Sequence, residues 1–155
     1  MDAPPIWQRL LAALAYLLPW ADAIEFGRSL YSLVPQLQWL QLPALPLLQL
    51  QMGIPFGGLV LFLALYLGVV RNGQVPYPLR FNVLQAILLD IVLVVLALAF
   101  RTLLVPLGAG FAVRTLSNTV YLGALVLVVY AMVQNLRGRE ADIPTVSEAV
   151  RMQLP

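Results

Sequence analysis

Few side chains in this sequence can carry chemistry. It contains no histidine, cysteine or lysine, so no imidazole or thiolate is available to ligate zinc, haem iron, copper or an iron–sulfur cluster. The same absence removes the usual nucleophiles and general bases near neutral pH, and neither cofactor nor catalytic activity is expected. Two polar groups remain inside apolar surroundings. Asn82, Gln85, Asp90 and Arg101 punctuate one long apolar run, and Asp22, Glu25 and Arg28 close another. Groups of this kind hydrogen-bond and place charge, so they line a hydrophilic path, dock a partner or tie helices together.

The elements that must position them are membrane helices. The 155 residues are 61% hydrophobic and 10% charged, with mean hydropathy +0.88. A soluble domain carries about 25% charged residues, so this chain lacks the polar surface to cover a globule in water. Its charges are scattered singly, nine arginines against seven acids, which is not the basic patch that nucleic acid requires.

Apolar periodicity and punctuation predict an all-α, four-span integral membrane domain over residues 1–136. The spans fall at about 7–23, 54–70, 81–104 and 116–136. Residues 30–50 are apolar but interrupted by Pro35, Pro43 and Pro46 and by several glutamines. Backbone left unpaired against lipid is costly, so this segment is expected to be broken and interfacial, with Tyr31 and Trp39 at headgroup level. Pro55 is expected in the first turn of the second span, and Gly53 with Gly57 forms a GxxxG that could mark a close helix contact. A cleavable leader is disfavoured because the first five residues carry no cation. Residues 137–155 form the water-soluble tail, where Thr145 and Glu148 have capping-box spacing before a short helix over Val146 to Gln153.

Arginine placement supports four spans. Alternating spans put Arg9, Arg71, Arg80, Arg137, Arg139 and Arg151 on one side and Arg28, Arg101 and Arg114 on the other. By the positive-inside rule both termini lie in the cytoplasm or its plastid equivalent. Five spans would divide the same arginines four to five.

The third span carries the sharpest signal. Asp90 and Arg101 are eleven positions apart, within about 20° of the same helical face and about 16 Å apart along the axis. Asn82 lies about 80° and Gln85 about 140° from Asp90, so the polar side broadens toward one end. A carboxylate in mid-membrane costs roughly 2.5–3.5 kcal/mol, and each Leu, Ile, Val or Phe returns about 0.3–0.6. The eight such residues between Ile91 and Phe100 just offset it, so Asp90 is expected to face protein, water or a partner. The seam is then either a hydrophilic path or docking face, or a buried network tying this helix to Asn118, Thr119 or Gln134 on the fourth. Glu25 and Arg28, three apart, suit a solvated ion pair, or with Asp22 could line an entrance. An aspartyl dyad of Asp22 and Asp90 is not expected, because this topology puts them on opposite sides of the bilayer.

Several words of the sequence resemble a known family in order. They are Glu25-Phe26-Gly27-Arg28, Ile54-Pro55-Phe56, Val70-Arg71-Asn72, Arg80-Phe81-Asn82, then Gln85-Ala86-Ile87-Leu88-Leu89-Asp90-Ile91. Asn118-Thr119-Val120-Tyr121-Leu122-Gly123, Ile143-Pro144-Thr145 and Met152-Gln153 follow. Together they resemble the Tic-twenty family, the twenty-kilodalton subunit of the protein translocon at the chloroplast inner envelope, with cyanobacterial and plastid-encoded relatives. The resemblance implies four helices, both termini stromal or cytoplasmic, and a place in a protein-import apparatus. It brings no cofactor and no catalytic residue. The chain starts at the membrane body with no transit peptide ahead of it, which is similar to the cyanobacterial or plastid-encoded form. The implied location is a cyanobacterial plasma or thylakoid membrane, or the plastid inner envelope. The implied partners are other translocon or assembly subunits, unfolded precursor polypeptides and the lipid bilayer. Four helices hardly enclose a polypeptide-sized pore, so an oligomer or hetero-complex is expected. The competing functions are a non-conducting assembly or scaffold subunit and a small-solute transporter subunit, the latter without the inverted repeats that carriers show.

Overall fold

The computed structural model describes residues 3–108 and 110–154, which are helical with no strand among them. Six elements follow in chain order. They are α1 (Ile6–Leu33), α2 (Pro35–Gly53), α3 (Gly57–Val70), α4 (Tyr77–Leu107), α5 (Gly110–Leu136) and the short α6 (Val146–Gln153). Helices α1, α4 and α5 are long and apolar enough to cross a membrane, and α2 with α3, bent by 109°, makes a fourth such unit if the pair counts as one.

Helix α1 runs well past Ala23, where the acids at Asp22 and Glu25 suggest an end. It is broken at Tyr16, because Pro19 has no N–H for the Ala15 carbonyl, and it tightens to a 3-10 turn over Ile24–Gly27 before continuing to Leu33. In α2 the prolines leave a 3-10 stretch over Pro35–Ala44 and a helix only from Leu45. The Trp20 indole N–H donates to the Leu40 carbonyl at 2.8 Å and ties this irregular segment to α1. Trp39 is exposed, but Tyr31 is not a headgroup residue: it is buried, and its hydroxyl bonds that of Tyr121 at 3.1 Å.

Pro55 lies in the bend before α3 rather than in its first turn, and Phe56 there adopts a left-handed conformation at φ 55°. Gly57 serves this bend: a Cβ there would sit 2.1 Å from the Gln51 carbonyl oxygen. The GxxxG pair therefore marks a chain reversal, not a helix–helix contact. The close interhelical approach is at Gly27, where a Cβ would meet the Tyr121 ring at 2.7 Å.

Contacts fix the directions of the long helices. Tyr16 meets Asn82 near the starts of α1 and α4, and Glu25 meets Arg101 near their ends, so these two helices run the same way. Helix α5 runs against them, with Asn135 at Asn82 and Tyr121 against Trp20 and Tyr31. The chain leaving α1 must return across the bundle before α4 starts, and the bent α2–α3 pair does this.

One aromatic core, with Tyr16, Trp20, Phe26, Tyr31 and Tyr121, joins α1, α4 and α5. A second core gathers Leu18, Val70, Phe81, Leu84 and Ile87 with Val150 and Leu154 of the C-terminal segment. The tail is thus not a separate soluble piece, since α6 packs onto α4 with Val150 fully buried. Outward, α3, α4 and α5 present Leu59, Leu67, Val94, Leu98, Val126 and Val129, all exposed, as helices facing lipid or partner subunits do.

Candidate functional site

The polar seam divides into three places along the bundle. Asn82 and Gln85 belong to the first, at the end where α1 and α4 begin, and neither meets open space. The Tyr16 hydroxyl donates to Asn82 Oδ1 at 2.6 Å and accepts from Gln85 Nε2 at 2.8 Å. Asn135 Nδ2 donates to the same Asn82 oxygen at 3.0 Å and to the Ala131 carbonyl at 2.8 Å. Asn82 Nδ2 caps the Pro78 carbonyl at 2.7 Å, a group the proline-rich start of α4 leaves near the surface of the bundle.

Gln85 then reaches the C-terminal segment. Its Nε2 donates to the Ala141 carbonyl at 2.8 Å, and its Oε1 accepts from the Ser147 hydroxyl. Ser147 Oγ also accepts from the Ile143 amide at 2.8 Å. That bond replaces the expected capping box: Thr145 makes no side-chain cap and stands at φ 70°, while Ser147, two residues on, secures the turn. Outside the bundle Arg151 closes the tail on itself through Glu140 and Asp142 and lies 5.6 Å from the Phe81 ring centre. The hydrogen bonds it donates to Glu140, with Asp142 beside them, push Arg151 above the usual guanidinium range.

This is a closed network of the buried kind, but its partners differ from those the sequence suggests. Asn135 takes the place of Asn118, Thr119 or Gln134. The Thr119 hydroxyl turns back to the Thr115 carbonyl, and Asn118 Oδ1 is buried with no hydrogen-bond partner among the described residues. Sequence reasoning also missed Tyr16 and Ser147. Tyr16 reads as one more core aromatic, and Ser147 lies in a segment that seemed separate. The available signal was the i, i+3 spacing of Asn82 and Gln85, two amides on one apolar helix that demand several partners.

The second place is half-buried and lies deeper. Asp90 faces Asp22 of α1, near enough for the two carboxyl groups to influence one another. They do not sit on opposite sides of the bilayer, because α1 continues through Asp22 alongside the parallel α4. Asp90 Oδ1 is buried with no hydrogen-bond partner among the described residues.

The third place is the far end, where α1, α4 and α5 surround a cavity of about 850 Å³. Glu25 pairs there with Arg101 at 3.2 Å, not with Arg28. Arg28 lines the same cavity, joined by Arg114 of α5, which sequence reasoning had counted only as a loop charge. Asp90 and Arg101 each meet a counterpart on α1, Asp22 and Glu25, and Arg101 itself sits in a π-helical turn over Phe100–Leu104 that follows the regular helix.

Comparison with known proteins places this architecture in a family. Residues 1–150 match the family described as chloroplast import apparatus Tic20-like. A Tic20 family protein of Synechocystis is 40% identical over 147 residues, 94% of this chain and 92% of the relative. Protein TIC 20-II, chloroplastic, of Arabidopsis thaliana is 35% identical over 153 residues, covering 97% of this chain and 74% of the relative. The Tic20 family protein Ycf60 of Gracilaria tenuistipitata is 31% identical over 156 residues, 96% of this chain and 76% of the relative. Matched in this way over nearly its whole length, the chain belongs to the Tic20 family.

Proposed function

We propose that this chain is a membrane-embedded subunit of an apparatus that moves polypeptides across or into a membrane, acting in complex with other membrane subunits. The observation that carries this reading is the near full-length match to a family described as chloroplast import apparatus. The bundle adds how such a role would be divided. Its interior is filled by Tyr16, Trp20, Tyr31 and Tyr121 and by the Asn82–Gln85 network, so a single copy in this conformation offers no polypeptide-wide passage through that core. The apolar faces of α3, α4 and α5 are open to neighbours. A translocation path therefore runs between this chain and its partners. The membrane is a cyanobacterial plasma or thylakoid membrane or the plastid inner envelope, and the six-to-three arginine division puts both termini on the cytoplasmic or stromal side.

One observation favours a second reading, a non-conducting assembly subunit: Asn82 and Gln85 are saturated within the bundle and offer nothing to a passing chain. A photo-crosslinking side chain at Val94 or Val126, both exposed, separates the two in membranes holding an arrested precursor. Adducts to the precursor support translocation. Adducts only to membrane subunits, with the precursor demonstrably engaged, leave the assembly reading.

A further inference from the structure

The cavity at the far end of the bundle is built for an anion, and its walls select the kind. Three arginines from three helices line it, Arg28 of α1, Arg101 of α4 and Arg114 of α5, with Glu25 the one acid among the lining residues. Glu25 is committed to Arg101. Arg28 and Arg114 have no ion-pair partner among the described residues, so an excess of two positive charges faces one space. Guanidinium groups converging without a counterion repel one another, and their planar forks match phosphate oxygens in pairs. The first turn of α5, through Gly110 and Val113, lines the same space and brings the positive end of a long helix to it.

The remaining walls are mostly apolar, with Phe26, Ala97, Phe100 and Val113 outnumbering the hydroxyls of Ser29 and Ser117. Leu107 and Phe111, next in sequence to the lining residues Gly108 and Gly110, are strongly exposed and offer apolar surface to an acyl chain. A small soluble anion has no use for such walls. A phosphate headgroup with an acyl chain attached would satisfy both halves, and about 850 Å³ lies within the range of cavities that hold small molecules.

We propose that this cavity binds the phosphate headgroup of an anionic membrane lipid, held by Arg28 and Arg114 and with its acyl chain laid along the α4–α5 face. The site is independent of whether the chain conducts polypeptide.

The test uses the full-length protein, delipidated in detergent, with phosphatidylglycerol as the anionic probe, phosphatidylcholine as the zwitterionic control and inorganic phosphate as the soluble anion. Retained lipid is counted by native mass spectrometry. Wild type should keep one phosphatidylglycerol in preference to phosphatidylcholine, and Arg28→Gln and Arg114→Gln should each weaken retention about tenfold or more. Arg114→Lys should fall between, since it keeps the charge and loses the fork. Both residues are exposed and unpaired, so the melting temperature of the lipid-free protein should not move, which separates lost binding from lost folding. Equal retention by wild type and both variants overturns the proposal. So does equal retention of phosphatidylcholine, or an equal loss from Arg137→Gln at the opposite end. Displacement of the lipid by inorganic phosphate at comparable concentration identifies a soluble-anion site and overturns the lipid assignment.

Discussion

Replacing Gln85 by leucine should loosen the C-terminal segment from the bundle without unfolding the bundle itself. Gln85 makes two bonds to that segment, donating to the Ala141 carbonyl and accepting from Ser147. A net hydrogen bond contributes about 0.5–1.5 kcal/mol, so losing both costs about 1–3 kcal/mol. The Ser147 hydroxyl can turn to the Ala141 carbonyl, already 3.2 Å away, and recover one of the two. The expected loss is therefore about 0.5–1.5 kcal/mol, a two- to twelvefold rise in the population with the tail undocked. Hydrogen exchange in detergent reads this at the Ala149 and Leu154 amides, which close the ends of α6 on Thr145 and Val150. Their exchange should quicken by that factor while amides in the middle of α5 keep their rates. Ser147→Ala should give a similar effect, and the double variant should fall short of the sum, since both remove one shared bond. Unchanged α6 exchange would falsify the assignment of Gln85 as the tether. An equal rise in α5 would show instead that Gln85 supports the whole bundle.

Other expectations follow from the same contacts. Gly27→Ala puts a methyl group 2.7 Å from the fully buried Tyr121 ring and should destabilise by about 1–3 kcal/mol in a detergent unfolding assay. Gly68→Ala, with nothing within 4 Å, should be neutral or raise stability by up to about 1 kcal/mol. Glu25→Gln should change stability by no more than about 1 kcal/mol, less at high salt, because the pair is exposed at 68% and 37%; a larger, salt-insensitive loss would contradict that. Single cysteines introduced by Gln74→Cys and Asp142→Cys should label from one face of the membrane and Gly110→Cys from the other. Labelling of Gln74→Cys and Gly110→Cys from the same face would defeat the four-span topology.

What the sequence shows plainly is what one dimension contains. Apolar runs, prolines and glycines mark where helices start, bend and stop, so the class of fold is legible, and the amides at Asn82 and Gln85 stand out by simple incongruity. The helix ends are less legible because a charge reads the same at a membrane surface and beside a partner. Asp22 and Glu25 suggest that α1 stops, yet each finds a counterpart on α4 and the helix continues to Leu33. Partners far along the chain are not legible at all. Nothing local to Tyr16 or Ser147 distinguishes them from other buried aromatics or tail serines until α1 and α4 are seen to run parallel. The packing of α1, α4 and α5 brings Arg28, Arg101 and Arg114 to one cavity, where the sequence shows only that the three share a side of the membrane.

The hydrogen-bond network also has an order in time. Its members are separated by 66 positions between Tyr16 and Asn82 and by 62 between Gln85 and Ser147, so the last donor is synthesised well after its acceptor. At about 5–20 residues per second, Gln85 waits about 3–12 s on the ribosome's schedule before its final partner exists. During that interval an amide already committed to an apolar helix must be covered by water or by the insertion machinery. Emergence of Ser147, rather than entry of the fourth helix, is the event that seals the bundle, and a nascent chain stalled before it would lack the bond that closes this network.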